Sequence, residues 1–350
     1  MRYGPLERAA ITAAAVLLTA ALYATWRMLD SHGVFTSVTP GFAGTCRAVK
    51  TPAGPGAIVF DGSDAIVAAM DRRAKASPSD GLYLYDPTKP DVGLVKLAGT
   101  PPDFHPGGLD LIRGPDGRST LMVINRRRSG SYSIDMFERD GAALKETGSI
   151  ESGLLVSPSA ITVLDSQSFY VVNDQLSKTR FGRWLDDTFA LPRGDVLYFD
   201  GMKFLEVAKN LNSPAGVALS PDGYHLYVSE ASARRLASFE RNPFTGQLTP
   251  AGTLAIPSNL AQISLGPDGQ LWLASQPKGF AMAALRDHPR KVAPSEVFRV
   301  QIKDGIAQTA TLVYANRGEE ISGSNVAAVA GGHLLIGAPY GKKLLDCRLP

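Results

Sequence analysis

Six times along this chain a short apolar run is followed by a turn of polar residues and glycine, then by a second apolar run. The segments are "GAIVFDGSDAIVAAM" from Gly56, "GGLDLIRGPDGRSTLMVIN" from Gly107, "SAITVLDSQSFYVVND" from Ser159, "AGVALSPDGYHLYVSE" from Ala215, "AQISLGPDGQLWLAS" from Ala261 and "SNVAAVAGGHLLIGAP" from Ser324. Runs of this length, rich in Val, Ile, Leu and Tyr and separated by turns such as Pro-Asp-Gly or Gly-Gly, predict strand pairs. Further strand-like runs lie between the pairs: "GLYLYD" from Gly81, "SIDMFER" from Ser133, "DVLYFDG" from Asp195, "RLASFER" from Arg235 and "EVFRVQI" from Glu296. The unit recurs every roughly 45 to 65 residues, close to the period of propeller blades. The expected fold is all-β, a six-bladed β-propeller over residues 46–350, preceded by an N-terminal transmembrane helix.

An open ring of blades would leave a long unpaired strand edge. The runs "CRAVK" from Cys46 and "KKLLDCRLP" from Lys342 lie at the two ends of the propeller region and can pair within the last blade. These ends also carry the chain's only two cysteines, Cys46 and Cys347. An even count in an exported chain predicts a disulfide that staples the ends together; the alternative is two unrelated buried thiols.

The pattern before Cys46 differs in kind. "AAITAAAVLLTAALYATW", Ala9 to Trp26, has no charge and is just long enough to cross a bilayer. Arg2 and Arg8 precede it and Arg27 follows, a weak bias that keeps the N-terminus inside and exports the body. No clear small-residue cleavage pattern follows the run. The expectation is an uncleaved signal-anchor over residues 1–30, a linker at 31–45, and a propeller on the periplasmic, extracellular or lumenal side. A cleaved signal peptide or a buried helix is the alternative.

Composition adds a limit. The 36 basic and 33 acidic residues nearly cancel, and the longest basic run is Arg126–Arg128. A nucleic-acid partner therefore has no support. The membrane, a small molecule or a protein remains as a partner.

In a propeller the first strand of each blade lines the axis, so the residues entering it ring one mouth. That ring reads Gly56 and Ala57, Gly107 and Gly108, Ser159 and Ala160, Ala215 and Gly216, Ala261 and Gln262, and Ser324 and Asn325. It holds neither carboxylate nor histidine. Calcium takes roughly six to eight oxygen ligands, usually with carboxylates among them. No metal is expected at this ring. No Gly-x-Ser-x-Gly nucleophile elbow occurs either.

From Cys46 to Cys347 the chain resembles the serum paraoxonase/arylesterase family. The resemblance rests on "NSPAGVALSPDGYHLYVSEASARRLASFER", "PSEVFRVQI" and "GSNVAAVAGGHLLIGAPYGKKLLDC", together with the hydrophobic N-terminus and the terminal cysteine pair. It implies a six-bladed propeller that hydrolyses lactones and aryl esters with calcium. The family's metal ligands, carried over position by position, fall on Gly56, Ala57, Ser159, Ala160, Ala215, Ala261 and Gln262, none of them charged. Its two histidines fall on Gly107 and Arg126. No catalytic or metal-ligating residue is therefore expected, and no cofactor, although the resemblance implies calcium. Arg126 cannot serve as a general base near neutral pH, but it can grip a carboxylate or phosphate, so it is a candidate anion-binding residue.

Three readings stay open at this level. The chain is a membrane-anchored propeller that has lost hydrolysis and binds a ligand or partner or assists assembly. Alternatively it is a lactone or aryl-ester hydrolase with a rearranged centre built from His105, Gln262 and Asn325. The third reading is a metal-independent enzyme of the strictosidine-synthase-like kind with Asp103, Asp110 or Asp174 as its acid or base. The stretch Ser177–Asp195 interrupts the third blade with a predicted short helix carrying Trp184, Leu185 and Phe189, which serves as a lid, a membrane-facing wedge or a partner site.

Overall fold

The computed structural model describes residues 4–74, 77–114 and 117–350, apart from the side chain of Asp187. Every predicted strand pair forms, and each extends into a sheet of four or five antiparallel strands. The six sheets occupy residues 55–96, 106–151, 158–211, 214–255, 259–316 and 326–348, and are called blades one to six in that order. The second strand of each blade is packed on both faces, which is why apolar–polar alternation is absent there and the sequence is largely a run of apolar residues. Phe169–Asn173 and His333–Gly337, for example, are buried at every position. The outer strands alternate: Leu248–Ala255 switches between half-buried and exposed.

The core is a ring rather than a ball. Six clusters of buried apolar side chains each join two neighbouring blades, from Leu82, Phe104 and Phe137 between blades one and two round to Val49, Ile58 and Leu344 between six and one. The ring closes where Thr45–Lys50 pairs with Lys343–Arg348 as the outermost strand of blade six. Cys46 and Cys347 face each other in that register and form the expected disulfide, across a sequence separation of 301 residues.

The helix α1, Pro5–Ser31, is long and apolar enough to cross a membrane by length and composition, and none of its apolar stretch is buried against the protein. At roughly 1.5 Å per residue its 27 residues extend about 40 Å. It fits a membrane anchor or a signal sequence. Its C-terminal end is docked on the propeller: Arg234 donates to the Asp30 carbonyl at 3.0 Å, and Asn259 to the Ser31 carbonyl at 2.7 Å. His32 stacks on Phe280 with ring centroids 4.2 Å apart. Within the stretch 31–45, expected as a linker, Gly41–Phe42 pairs with Ala315 and Tyr314 as a fifth strand on blade five.

Two more helices stand over one mouth, each between the second and third strands of its blade. In blade three, α2 (Arg180–Phe189) is the helix expected within Ser177–Asp195, capped by the Thr179 hydroxyl accepting from Gly182 N. In blade five, α3 (Gly279–Asp287) was not foreseen from the sequence.

Candidate functional site

Entry to the first strands sets the mouth geometry. In blades one to five the pairing register slips within the first three or four residues of that strand, a β-bulge at Gly56, Gly107–Gly108, Ser159, Ala215 and Ala261–Gln262. A bulge adds an unpaired residue and re-aims side chains, so the ring expected from the sequence coincides with one repeated irregularity. The bulges bring adjacent blades close. A Cβ on Gly216 would sit 2.6 Å from the Ala261 carbonyl oxygen, which only glycine avoids.

Two cavities share the axis, and Gly108 and Gln262 line both. The lower one, about 470 Å³, runs between first-strand residues such as Ile58, Leu109, Val217 and Val329. Most of its lining residues are apolar, and the half-buried Asp110 is among the rest. Asp110 accepts from Val163 N at 2.8 Å and the Thr162 hydroxyl at 3.0 Å; burial outweighs these bonds and pushes its carboxyl up to about 6. The upper cavity, about 360 Å³, is smaller but gathers more chemistry. It is a funnel lined by Arg72, Arg126 and Arg183, by Asp174, Gln175 and Gln276, and by Tyr132 and Tyr340.

The expected ring residues divide between these spaces. Gly107, Ser159, Ala215, Gln262 and Asn325 line the funnel. Ala160 lines the lower channel. Gly56, Ala57, Ala261 and Ser324 are buried in the wall. Strand alternation and the bulges that interrupt it set which of these residues face the axis. Several ring positions stitch blades together. Asn325 donates to the Gly56 carbonyl at 2.7 Å, Gln262 N to the Asn325 carbonyl at 3.0 Å, and the Ser159 hydroxyl to the Pro214 carbonyl at 2.8 Å. Ser324 spends its hydroxyl on the Ser275 carbonyl at 2.9 Å.

The loops that follow the second strands carry the funnel's charges. Arg72 follows blade one's second strand, Arg126 ends blade two's, and Asp174 and Arg183 follow blade three's. Neighbouring Arg73 pins the rim: it donates to the carbonyls of Leu285, Arg286 and Tyr340, and its guanidinium lies 4.8 Å from the Tyr340 ring centre. Burial first, and then nearby Arg126, pull the Arg72 guanidinium below its usual value, against the opposing influence of Tyr340, Tyr132 and Asp174. Arg72 stands deep among protein atoms yet keeps an exposed surface. That exposed surface limits the cost of desolvation. Arg183 donates Nε to the Ser177 carbonyl at 2.9 Å. The Gln175 Oε1 atom is buried without a hydrogen-bond partner among the described residues.

His105 and Asp103 do not reach this space. The His105 imidazole is buried, with Nδ1 2.7 Å from Asp80 and Nε2 3.2 Å from Asp103. Nδ1 ties the segment entering blade two to Asp80 of blade one, and Nε2 is taken by Asp103 two residues away, so a centre built on His105 has no geometry here. Asp174 is the carboxylate that the described residues bring to the funnel.

A hard dication does not fit this donor set. Where the resemblance expects its ligands, the side chains are absent, apolar, at Ser159 tied to a backbone carbonyl or, at Gln262, a neutral amide, and among the described residues three guanidinium groups share the space with one carboxylate. Among the described residues no three His, Cys, Asp or Glu side chains gather in a group that suits a metal.

A closed propeller with a polar funnel at one end of its axis defines the class of protein. The arylesterase family model matches residues 77–349. Serum paraoxonase/arylesterase 2 of Homo sapiens is 29% identical over 248 residues, covering 70% of this chain and 69% of the relative. Serum paraoxonase/arylesterase 1 of Mus musculus is 28% identical over 282 residues, covering 75% and 79%. The chain belongs to the arylesterase family. Among solved structures, a luciferin-regenerating enzyme aligns with a TM-score of 0.56 at 11% identity, covering 87% of this chain and 95% of that one. Regucalcin of Agrobacterium tumefaciens aligns with 0.51 at 15%, covering 90% and 97%. At such identities these share the fold alone.

Proposed function

We propose that this protein is a membrane-anchored arylesterase-family propeller that binds a ligand in its upper funnel and has given up calcium-dependent hydrolysis. One observation carries the reading: the mouth positions that the resemblance assigns to calcium are uncharged, and several serve instead as hydrogen-bonded seams between blades. Without a metal a water in the funnel lacks its main means of activation, and Arg126 cannot act as its base. The propeller lies on the exported side, in keeping with the disulfide and with the arginines ahead of α1.

The test is hydrolysis of a simple lactone and of phenyl acetate by the full chain in neutral detergent, with calcium and with chelator. The expected result is no calcium-dependent turnover; such turnover overturns the reading. A second reading rests on Asp174 as the funnel's carboxylate and makes it the acid or base of a metal-independent enzyme. Turnover that is indifferent to calcium and lost in Asp174→Asn would select it.

A further inference from the structure

We propose that the funnel binds a small oxyanion, a carboxylate or phosphate carrying a short apolar body, between Arg72, Arg126 and Arg183. The proposal rests on the reading of the funnel as a ligand site and names the chemistry of its ligand.

Several arginines elsewhere in the molecule meet carboxylates closely. Arg47 lies 2.5 Å from Asp346, Arg113 and Arg139 each 2.6 Å from Asp61, Arg235 2.6 Å from Glu230, and Arg299 2.5 Å from Asp268. In the funnel the pattern fails. The guanidinium groups of Arg72 and Arg126 make no hydrogen bond or ion pair with any described residue, and Arg183 commits only its Nε. Three cations from blades one, two and three thus face one space of about 360 Å³ together with Asp174. Like charges gathered in a partly desolvated cavity repel one another, and a bound anion removes that cost. The guanidinium fork suits the paired oxygens of a carboxylate or phosphate.

The rest of the lining sets the size and character of the ligand. Met70, Ile124, Met282 and Pro339 supply apolar wall. The volume is at the lower end of the roughly 300–1,000 Å³ typical of small-molecule sites. A free inorganic ion would leave that apolar surface unused.

The experiment is calorimetric titration of the full chain, in neutral detergent at low salt, with hexanoate, butyl phosphate, inorganic phosphate and hexan-1-ol. Hexanoate or butyl phosphate is expected to bind with a Kd below about 1 mM, more tightly than inorganic phosphate, while hexan-1-ol does not bind; the two organic anions distinguish the carboxylate from the phosphate head. Arg72→Gln and Arg126→Gln should each weaken binding about tenfold. Their unliganded melting temperatures should equal or exceed that of the parent, because each removes a repelling charge. Absence of binding by both organic anions, equal binding by hexan-1-ol, or undiminished binding by both variants overturns the proposal. Calcium-dependent ester hydrolysis would overturn the functional reading and leave this titration untouched, so the two failures are distinguishable.

Discussion

Two regions of this propeller gather charge, and they do so in opposite ways. At the seam, one carboxylate, Asp346, is 3% exposed and gathers Arg47 at 2.5 Å, the Tyr85 hydroxyl at 2.7 Å and His333 Nδ1 at 2.6 Å. Arg47 comes from the N-terminal strand, Tyr85 from blade one, and His333 and Asp346 from blade six, so the cluster ties together the ends that the disulfide joins. In the funnel, three guanidinium groups share a space with Asp174, and two of them donate to no described protein group. Nothing in the residue types separates Arg47 from Arg72. The seam's charges find their partners within the fold, whereas the funnel's leave room for one from outside.

The largest effect should come from breaking the seam. Burial alone would raise the Asp346 carboxyl, but hydrogen bonds from His333, Tyr85 and Arg47 hold it below its usual range. Asp346→Ala leaves a buried imidazole and a guanidinium without their common acceptor, and should destabilise the chain by about 3 kcal/mol at pH 7. A carboxyl with a depressed folded value contributes stability that is present above its unfolded value and lost as pH falls through the folded one. The gap between parent and variant, measured by urea unfolding, should therefore narrow toward pH 3. A gap below about 1 kcal/mol at pH 7 would make the cluster no stronger than a surface ion pair.

Asp110 offers an intermediate case, a half-buried acid whose neighbours are dipoles rather than cations. Its folded value of about 6 lies above the ordinary 3.8. The sign is now reversed: the stability is complete below the unfolded value and is lost as pH rises through about 6. Asp110→Asn can keep the bond from Val163 N and removes the charge. The variant should be more stable than the parent by about 1 to 2 kcal/mol at pH 8, a figure discounted for water in the channel, with the difference vanishing below pH 4. A variant less stable than the parent at pH 8 would mean that the ionised carboxylate is a structural partner, as at the seam.

The sequence carried the seam well and the funnel poorly, for physical reasons. Blade strands pack on both faces, so they stand out as unbroken apolar runs, and a cysteine at each end of the propeller needs only one pairing. The mouth ring was found in position but not in content. It was read from residues entering the first strands, where Ala57, Ala261 and Ser324 are packed into the wall. The charges sit on loops after the second strands, in "MDRRAK" and "SKTRFGRW". Only Arg126, within "VINRRR", was singled out, because the resemblance pointed to it. Arg72 and Arg183 lie more than a hundred residues apart in the chain and are brought together by ring closure alone. The helix α3 was passed over because its short apolar run, "FAMAALRD", lies between two strands and has no side-chain cap. His105 looked available as a lone histidine near the mouth, but only the structure shows both its nitrogens engaged.

The smallest expected effect is also the sharpest test of the comparison: adding a calcium chelator should change nothing. Affinity for a hard dication comes mostly from charged oxygen ligands, and the funnel offers Asp174 against three guanidinium groups. Neutral amides such as Gln262 and Asn325 contribute dipoles but no charge, and the Asn325 Nδ2 donates to the Gly56 carbonyl. The blades that calcium would tie together at the mouth are tied by hydrogen bonds from Ser159, Asn325 and Ser229, the last donating to the Ala261 carbonyl at 2.6 Å. Thermal unfolding of the full chain should therefore give the same melting temperature with millimolar calcium and with excess chelator. A fall of several degrees on chelation, restored by calcium, would place a cation where the guanidinium groups now stand and would remove the distinction between a seam that satisfies its own charges and a funnel that awaits an anion.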